Sequence, residues 1–470
     1  MKFSIDFYFG GATAAFQAEG AVKEDNKGQV LWEPFLERQG RFDPEPACDF
    51  YHRYPEDLKL SHDFGLNSIR ISIAWARIFP IGAGKPEQAG VDYYHQMFAE
   101  CRKNGIEPFV TLHHFDTPET LHQAGDWLNP DNIEKYVAYA KFCFQEFSEI
   151  NYWITINEPT SMAVQQYTTG TFPPGEKYNF HKTFQAEHNL NLAHARVVNA
   201  FKEMGIAGQI GVVHALQTVY PFDPAKDGDI HAAKLQDTLD NRVFLDGTLA
   251  GEYGTETLAL MNEILAANQQ AEITINPSEM DELKQAAQQL DFVGVNYYFS
   301  KYMKEYHGIS ETVHNGTGQK GSSISRLQGI GESGVPDGIE MTDWDWPINP
   351  QGLYDQLERI KTNYPLVKDL YITENGLGLK EEKPAAGKIL DDQKRIDYIR
   401  LHLAEVLRAI NDGINVKGYF VWSLQDMFSW TNGYNKRYGL FFVDFETQQR
   451  YPKKSAHWFK KITETGELPE

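Results

Sequence analysis

Cysteine is scarce in this 470-residue chain. Only Cys48, Cys101 and Cys143 occur, an odd number with no CxxC pair and no Cys/His grouping at zinc spacing. A disulfide framework is thereby excluded, and reduced thiols in a cytoplasmic setting are expected. Positive charge is also in short supply: Lys and Arg number 44 against 65 Asp and Glu, a formal net charge of −21. Nucleic acids and anionic membranes both attract basic surfaces, so neither is an expected partner. A single pocket can still be locally basic, because global charge does not set a local field. No apolar run reaches the roughly 18 residues of a membrane helix. Met1 to Gly11 lacks a basic stretch followed by a long apolar one, so no signal peptide is expected. Short internal repeats and linker-like stretches are missing too. One domain over residues 1–470 is therefore expected, a length that α/β barrels absorb through insertions.

Aromatic residues are plentiful, with 29 Phe, 24 Tyr and 9 Trp. Such rings fill large cores and also suit the weakly apolar C–H faces of sugars. Short apolar runs alternate with helix-like segments. The runs are Phe7–Gln17, Ser68–Trp75, Glu107–Phe115, Tyr152–Pro159, Gln209–Leu216, Leu290–Tyr298, Asp369–Gly376 and Val416–Leu424. Between them lie helical patterns such as residues 131–150 and 391–410. Eight alternations predict a (β/α)8 TIM barrel. A doubly wound open sheet shares the alternation but not the count. Residues 301–345, rich in Gly, Ser, Thr and Asn, predict a long loop after the sixth strand.

A barrel of this kind gathers its reactive groups at the C-terminal ends of its strands. Polar residues fall there repeatedly. Gln17 ends the first run, Arg70 lies on the second, and His113 and His114 close the third. Asn157 and Glu158 close the fourth, Asn296 and Tyr298 lie on the sixth, Glu374 on the seventh and Trp422 on the eighth. Each buried polar group needs a partner, so stability alone explains one of them more easily than all. Glu158 and Glu374 can face each other across the mouth. Paired carboxylates are what glycosidic cleavage requires, one to protonate the leaving oxygen and one to attack or stabilise the anomeric carbon. The alternative is a pair of salt-bridged structural glutamates. Asn296 and Tyr298, two apart, share a face. Tyr298 can bond a carboxylate, and Arg70 can hold one ionised. Of the neighbours His113 and His114 only one can point inward. The HxH and HExxH spacings are missing, so no metal is expected.

Thr155-Ile156-Asn157-Glu158-Pro159 and Ile372-Thr373-Glu374-Asn375-Gly376 resemble the two signature motifs of glycoside hydrolase family 1, the β-glucosidase family. The resemblance runs from Phe9–Gln17 through Arg70–Trp75 and Thr111–Asp116 to Tyr451–Ser455. It implies a retaining double displacement on a (β/α)8 barrel without a cofactor. Glu374 would be the nucleophile and Glu158 the acid/base, its pKa raised by the facing anion. Gln17, His114 and Asn157 match family positions that hold sugar hydroxyls. The thioglucosidase branch replaces the acid/base by Gln, so Glu158 favours an O-glycosidase.

Trp422 to Trp430 bears on the substrate. Relatives acting on plain sugars usually have Glu where Ser429 stands. A carboxylate there would repel a phosphate dianion, whereas a hydroxyl can donate to it. In an extended segment Lys436 and Tyr438 share a side and Arg437 points away. Ser429, Lys436 and Tyr438 thus form a candidate phosphate clamp, similar to the family's 6-phospho branch. In that branch Trp at 430 accompanies galacto-configured sugars, and its indole can donate to an axial O4. A 6-phospho-β-galactoside, such as lactose 6-phosphate or an aryl glycoside, is the expected substrate. A 6-phospho-β-glucoside is the alternative, and a non-catalytic sugar-phosphate-binding barrel a remote one, against which both carboxylates argue. Trp344 and Trp346 are candidates for walling the leaving group or for the core.

Overall fold

The computed structural model describes residues 2–469. Eight parallel strands close into a barrel. They are β1 (Tyr8–Ala12), β2 (Ser68–Ser72), β3 (Glu107–His113), β4 (Tyr152–Asn157), β5 (Gln209–Ala215), β6 (Phe292–Asn296), β7 (Asp369–Asn375) and β8 (Val416–Trp422). Every strand pairs with its sequence neighbour, and β8 closes onto β1 in parallel register. All eight expected runs contain a barrel strand, because an apolar run of this length buries both of its faces in a parallel sheet. The runs overshoot at their C-terminal ends. Gln17 lies on the helical turn Ala15–Ala18, and Trp75 opens the turn Trp75–Ile78.

Helices cover the outside. In Pro130–Glu146, Asn129 caps the N-terminus by accepting from the Asp131 N–H, and Pro130 sits in the first turn where its missing N–H costs nothing. Ile133, Tyr136, Val137, Ala140, Cys143 and Phe144 recur at helical spacing and are buried. The N-terminal half of the barrel is plugged by rings. Phe109 stacks on Tyr152 at 4.1 Å and packs against Tyr371 at 5.2 Å and Phe420 at 4.9 Å. Gly10 makes room for this plug, since a Cβ there would lie 2.5 Å from the Phe420 ring. With the lower end filled, only the upper end can open to a substrate.

Residues 301–345 are more ordered than their composition predicts. Lys301–Lys304, Glu311–Val313, Ile324–Leu327 and Gly331–Gly334 form antiparallel pairs and join Val219–Pro221 in a five-stranded sheet. The polar composition fits strands whose residues are mostly only half-buried. Among the described residues no helix is long and apolar enough to cross a membrane.

Candidate active site

Strands β4 and β7, whose C-terminal ends place the two glutamates, both break register near their C-termini. The pairing of β4 with β5 shifts between Ile154 and Asn157, and that of β7 with β6 between Ile372 and Glu374. A bulge re-aims the side chains that follow it. Glu158 then adopts a left-handed backbone (φ 44°) just before Pro159 starts the helix Pro159–Tyr167. Such a conformation costs on the order of 1–3 kcal/mol and persists only where surroundings enforce it. Here the Glu158 N–H donates to the Val213 carbonyl (2.8 Å) and the Asn296 amide to Glu158 Oε1 (2.7 Å).

One hydrogen-bonded network ties the two carboxylates together. Arg70 Nη1 donates to Glu374 Oε1 (2.5 Å) and Nη2 to Asn157 Oδ1 (2.6 Å). Asn296 Nδ2 also donates to Asn157 Oδ1 (3.2 Å), and Thr373 to Asn296 Oδ1 (2.7 Å). Tyr298 donates to Glu374 Oε2 (2.7 Å). Asn296 and Tyr298 thus serve one carboxylate each from the same face of one segment.

Burial pushes the Glu374 carboxyl up to about 7. The Arg70 charge and the Tyr298 hydroxyl oppose the rise, while Glu158 adds to it. Glu158 is raised as well, chiefly by burial, against hydrogen bonds from Asn296 and Ser161 and the charge of Arg70. Desolvation, not the facing anion expected from the sequence, leads for Glu158. Both carboxyls are thus raised above their ordinary range. The Arg70 guanidinium donates to Glu374 and not to Glu158, so this contact favours the ionised form of Glu374.

His114 Nε2 meets Asn157 Nδ2 at 3.1 Å, whereas His113 turns outward to Thr117 (2.9 Å) and the ring of Trp127. Gln17 donates to the Phe428 carbonyl (2.7 Å), and its Oε1 is buried without a partner, as is His114 Nδ1. These atoms line a cavity of about 160 Å3 together with Asn157, Glu374, Trp422 and Trp430. Trp430 stacks on Phe16 at 5.4 Å and lies 4.6 Å from Trp32, and Trp422 stacks near His114. Among the described residues no group of three His, Cys, Asp or Glu could hold a metal.

Ser429, Lys436 and Tyr438 line the same cavity. Lys436 is 3% exposed, has no acidic partner among the described residues, and lies 3.5 Å from the Trp346 ring centre. Burial drives its pKa well below the usual lysine range. Neither the Ser429 hydroxyl nor the Tyr438 hydroxyl has a hydrogen-bond partner among the described residues. Arg437 points elsewhere, to Asp426 (2.9 Å) and the Val443 carbonyl (2.7 Å).

A second cavity of about 410 Å3 opens beside Glu158, and Trp346 lines both. Trp344 lines neither: it is buried behind Lys436, 4.8 Å from its ammonium. Gln165 and His314 also line both cavities and went unnoticed in the sequence. Gln165 lies two turns beyond Glu158 on the same helical face, which periodicity could have revealed. Nothing local marks His314.

The chain matches glycosyl hydrolase family 1 over residues 1–468. It is 64% identical to the 6-phospho-β-galactosidase of Lacticaseibacillus casei, over 99% of this chain and 98% of that protein. It is 56% identical to the 6-phospho-β-galactosidase of Leptotrichia buccalis, over 99% of each. Among solved structures, a family 1 β-glucosidase from Thermotoga maritima superposes with a TM-score of 0.87 at 32% identity, over 100% of this chain and 99% of that one. With a closed barrel, two glutamates joined by one network at its mouth, and a full-length family match, this chain belongs to glycosyl hydrolase family 1.

Proposed function

We propose that this protein hydrolyses 6-phospho-β-galactosides with retention, releasing galactose 6-phosphate and an alcohol or sugar. The observation that carries the phosphate is Lys436. A desolvated ammonium with no carboxylate beside it is costly, and a dianion offsets that cost. The unengaged Ser429 and Tyr438 hydroxyls supply two further donors, and relatives at 56–64% identity bear the matching name.

The roles follow from the Arg70 contact, which falls on Glu374 and leaves Glu158 with neutral donors. Glu374 attacks the anomeric carbon as the C1–oxygen bond breaks, and Glu158 passes its proton to the departing oxygen. The product is a glycosyl ester of Glu374. Glu158, now ionised, takes a proton from water, whose oxygen attacks C1 and expels Glu374 as carboxylate. Losing the Glu374 charge lowers the Glu158 pKa at the moment when a base is needed. Arg70 and Tyr298 steady the leaving carboxylate. Gln17 Oε1 accepts from a ring hydroxyl, and His114 Nδ1, which carries the ring hydrogen because Nε2 accepts from the Asn157 amide, donates to one. Asn157 bonds the 2-hydroxyl, Trp422 walls the ring, and the Trp430 indole meets an axial O4. The phosphorylated substrate does not cross a bilayer unaided, so the site of action is the cytoplasm, downstream of a phosphorylating step.

The test is a comparison of kcat/KM for nitrophenyl 6-phospho-β-galactoside, its gluco epimer and the unphosphorylated galactoside. The phosphogalactoside should lead its gluco epimer by about tenfold or more. Equal rates on all three would overturn the assignment. Activity should also show a bell-shaped pH dependence. Protonated Glu374 is inactive, so rate is lost as pH falls through a limb displaced from the ordinary carboxylate range toward 7. Loss of the Glu158 proton gives the alkaline limb. The unphosphorylated nitrophenyl galactoside should be used, since phosphate itself titrates near pH 6. An acid limb near 4 would contradict the burial argument.

A further inference from the structure

The 160 Å3 and 410 Å3 cavities meet at Glu158, Gln165, Tyr298, His314 and Trp346. On the proposed roles, the scissile oxygen lies at this junction, since Glu158 must reach it. Tyr298 is committed to Glu374, and Trp346 to Lys436. Gln165 and His314 are the junction residues that retain free polar atoms. Gln165 Oε1 accepts from the Thr171 hydroxyl (3.0 Å), leaving its Nε2 without a partner among the described residues. His314 uses Nε2 on Thr431 Oγ1 (2.9 Å), leaving Nδ1.

Both side chains are held in place. Gln165 rides on the helix that begins at Glu158, so it is fixed relative to the proton donor. His314 follows the strand Glu311–Val313, whose Thr312 is pinned to Tyr178 by hydrogen bonds of 2.8 and 3.1 Å. On its other side Asn315 Oδ1 accepts from the Gly318 N–H (2.8 Å) and the Gln319 N–H (3.1 Å). Thr431, which bonds the ring, adjoins Trp430. The cavity beyond them is mixed, with the Asp240–Lys301 ion pair (2.9 Å) and Gln217 on its wall beside apolar Leu216, Phe299 and Val313.

We propose that Gln165 and His314 are specificity-determining residues that clasp the leaving group, and that they select a hydroxyl-rich sugar over a flat apolar aglycone. The inference rests on the assignment of Glu158 as proton donor and of the smaller cavity as the phosphosugar site. Hydrogen bonds to a sugar's hydroxyls beside the glycosidic oxygen orient it for protonation. An aryl group has no hydroxyls to offer and a better leaving oxygen, so it depends less on orientation.

The experiment measures kcat/KM of the full chain and of the variants His314→Ala, Gln165→Ala and His314→Gln on lactose 6-phosphate and on nitrophenyl 6-phospho-β-galactoside. Each alanine variant should lose about tenfold or more on the disaccharide, and the ratio between the two substrates should move about fivefold or more against the disaccharide. His314→Gln, which keeps a hydrogen-bonding amide, should recover most of the loss. Equal losses on both substrates, or none on the disaccharide, would overturn the clasp. If the unaltered protein instead prefers unphosphorylated substrates, the phosphate assignment falls. The same ratio measured with lactose and nitrophenyl β-galactoside then decides the clasp.

Discussion

Glu374→Gln should lower kcat on a 6-phospho-β-galactoside by at least about 10^4-fold, because the group that forms the covalent intermediate is lost. The amide keeps the shape of the carboxyl and can still accept from Tyr298, which donates at 2.7 Å in the parent. The loss should therefore fall on turnover, with galactose 6-phosphate still binding by calorimetry. Two features make Glu374 the right group to remove. It is 4% exposed and accepts from Arg70, so it has an ionised state that the fold supports. Glu158 has only neutral donors, Asn296 and Ser161. A variant that turned over within tenfold of the parent would refute the assignment. Loss of phosphosugar binding together with turnover would instead point to a structural role in balancing the Arg70 charge.

Lys436→Met should cost about 10^3-fold in kcat/KM on the phosphorylated substrate and far less on the plain galactoside. Removing one partner of a desolvated charge pair costs about 2–5 kcal/mol, and 4 kcal/mol corresponds to that factor. The same substitution should make the free protein more stable. Burial lowers the Lys436 pKa in the folded state, so the neutral form is favoured there. Its ionisation penalty is absent above the unfolded-state pKa of about 10.4 and grows as pH falls toward the folded value, so it is present at pH 7. Galactose 6-phosphate should raise the Tm of the parent and leave that of Lys436→Met nearly unmoved. Ser429→Glu should act in the same direction by placing an anion against the phosphate. Equal losses on phosphorylated and plain glycosides would sink the clamp.

Much of this was legible before any coordinates. The apolar runs marked eight strands because residues buried on both faces of a parallel strand leave a local trace. Glu158 and Glu374 stood out because each lies near the C-terminal end of such a run, where a barrel places its chemistry. Alternation in the segment 436–438 separated Lys436 and Tyr438 from Arg437, since side chains two apart share a side. The sequence also carried the family motifs, and with them the expectation of a phosphorylated substrate.

Other features depend on residues that meet only when the barrel closes. The register breaks in β4 and β7 arise from pairing with neighbours, and no periodicity within either strand reveals them. The strands within Lys301–Gly334 pair with one another across turns, and Lys301–Lys304 pairs with Val219–Pro221, some eighty residues earlier, so a polar, glycine-rich stretch looked like a loop. His314 reaches the junction through Thr431, 117 positions away. The raised pKa of both glutamates was likewise decided by the fold. Burial raises both carboxyls and Arg70, 304 positions from Glu374, biases the pair, because desolvation and Coulomb energy depend on distance in space and not along the chain.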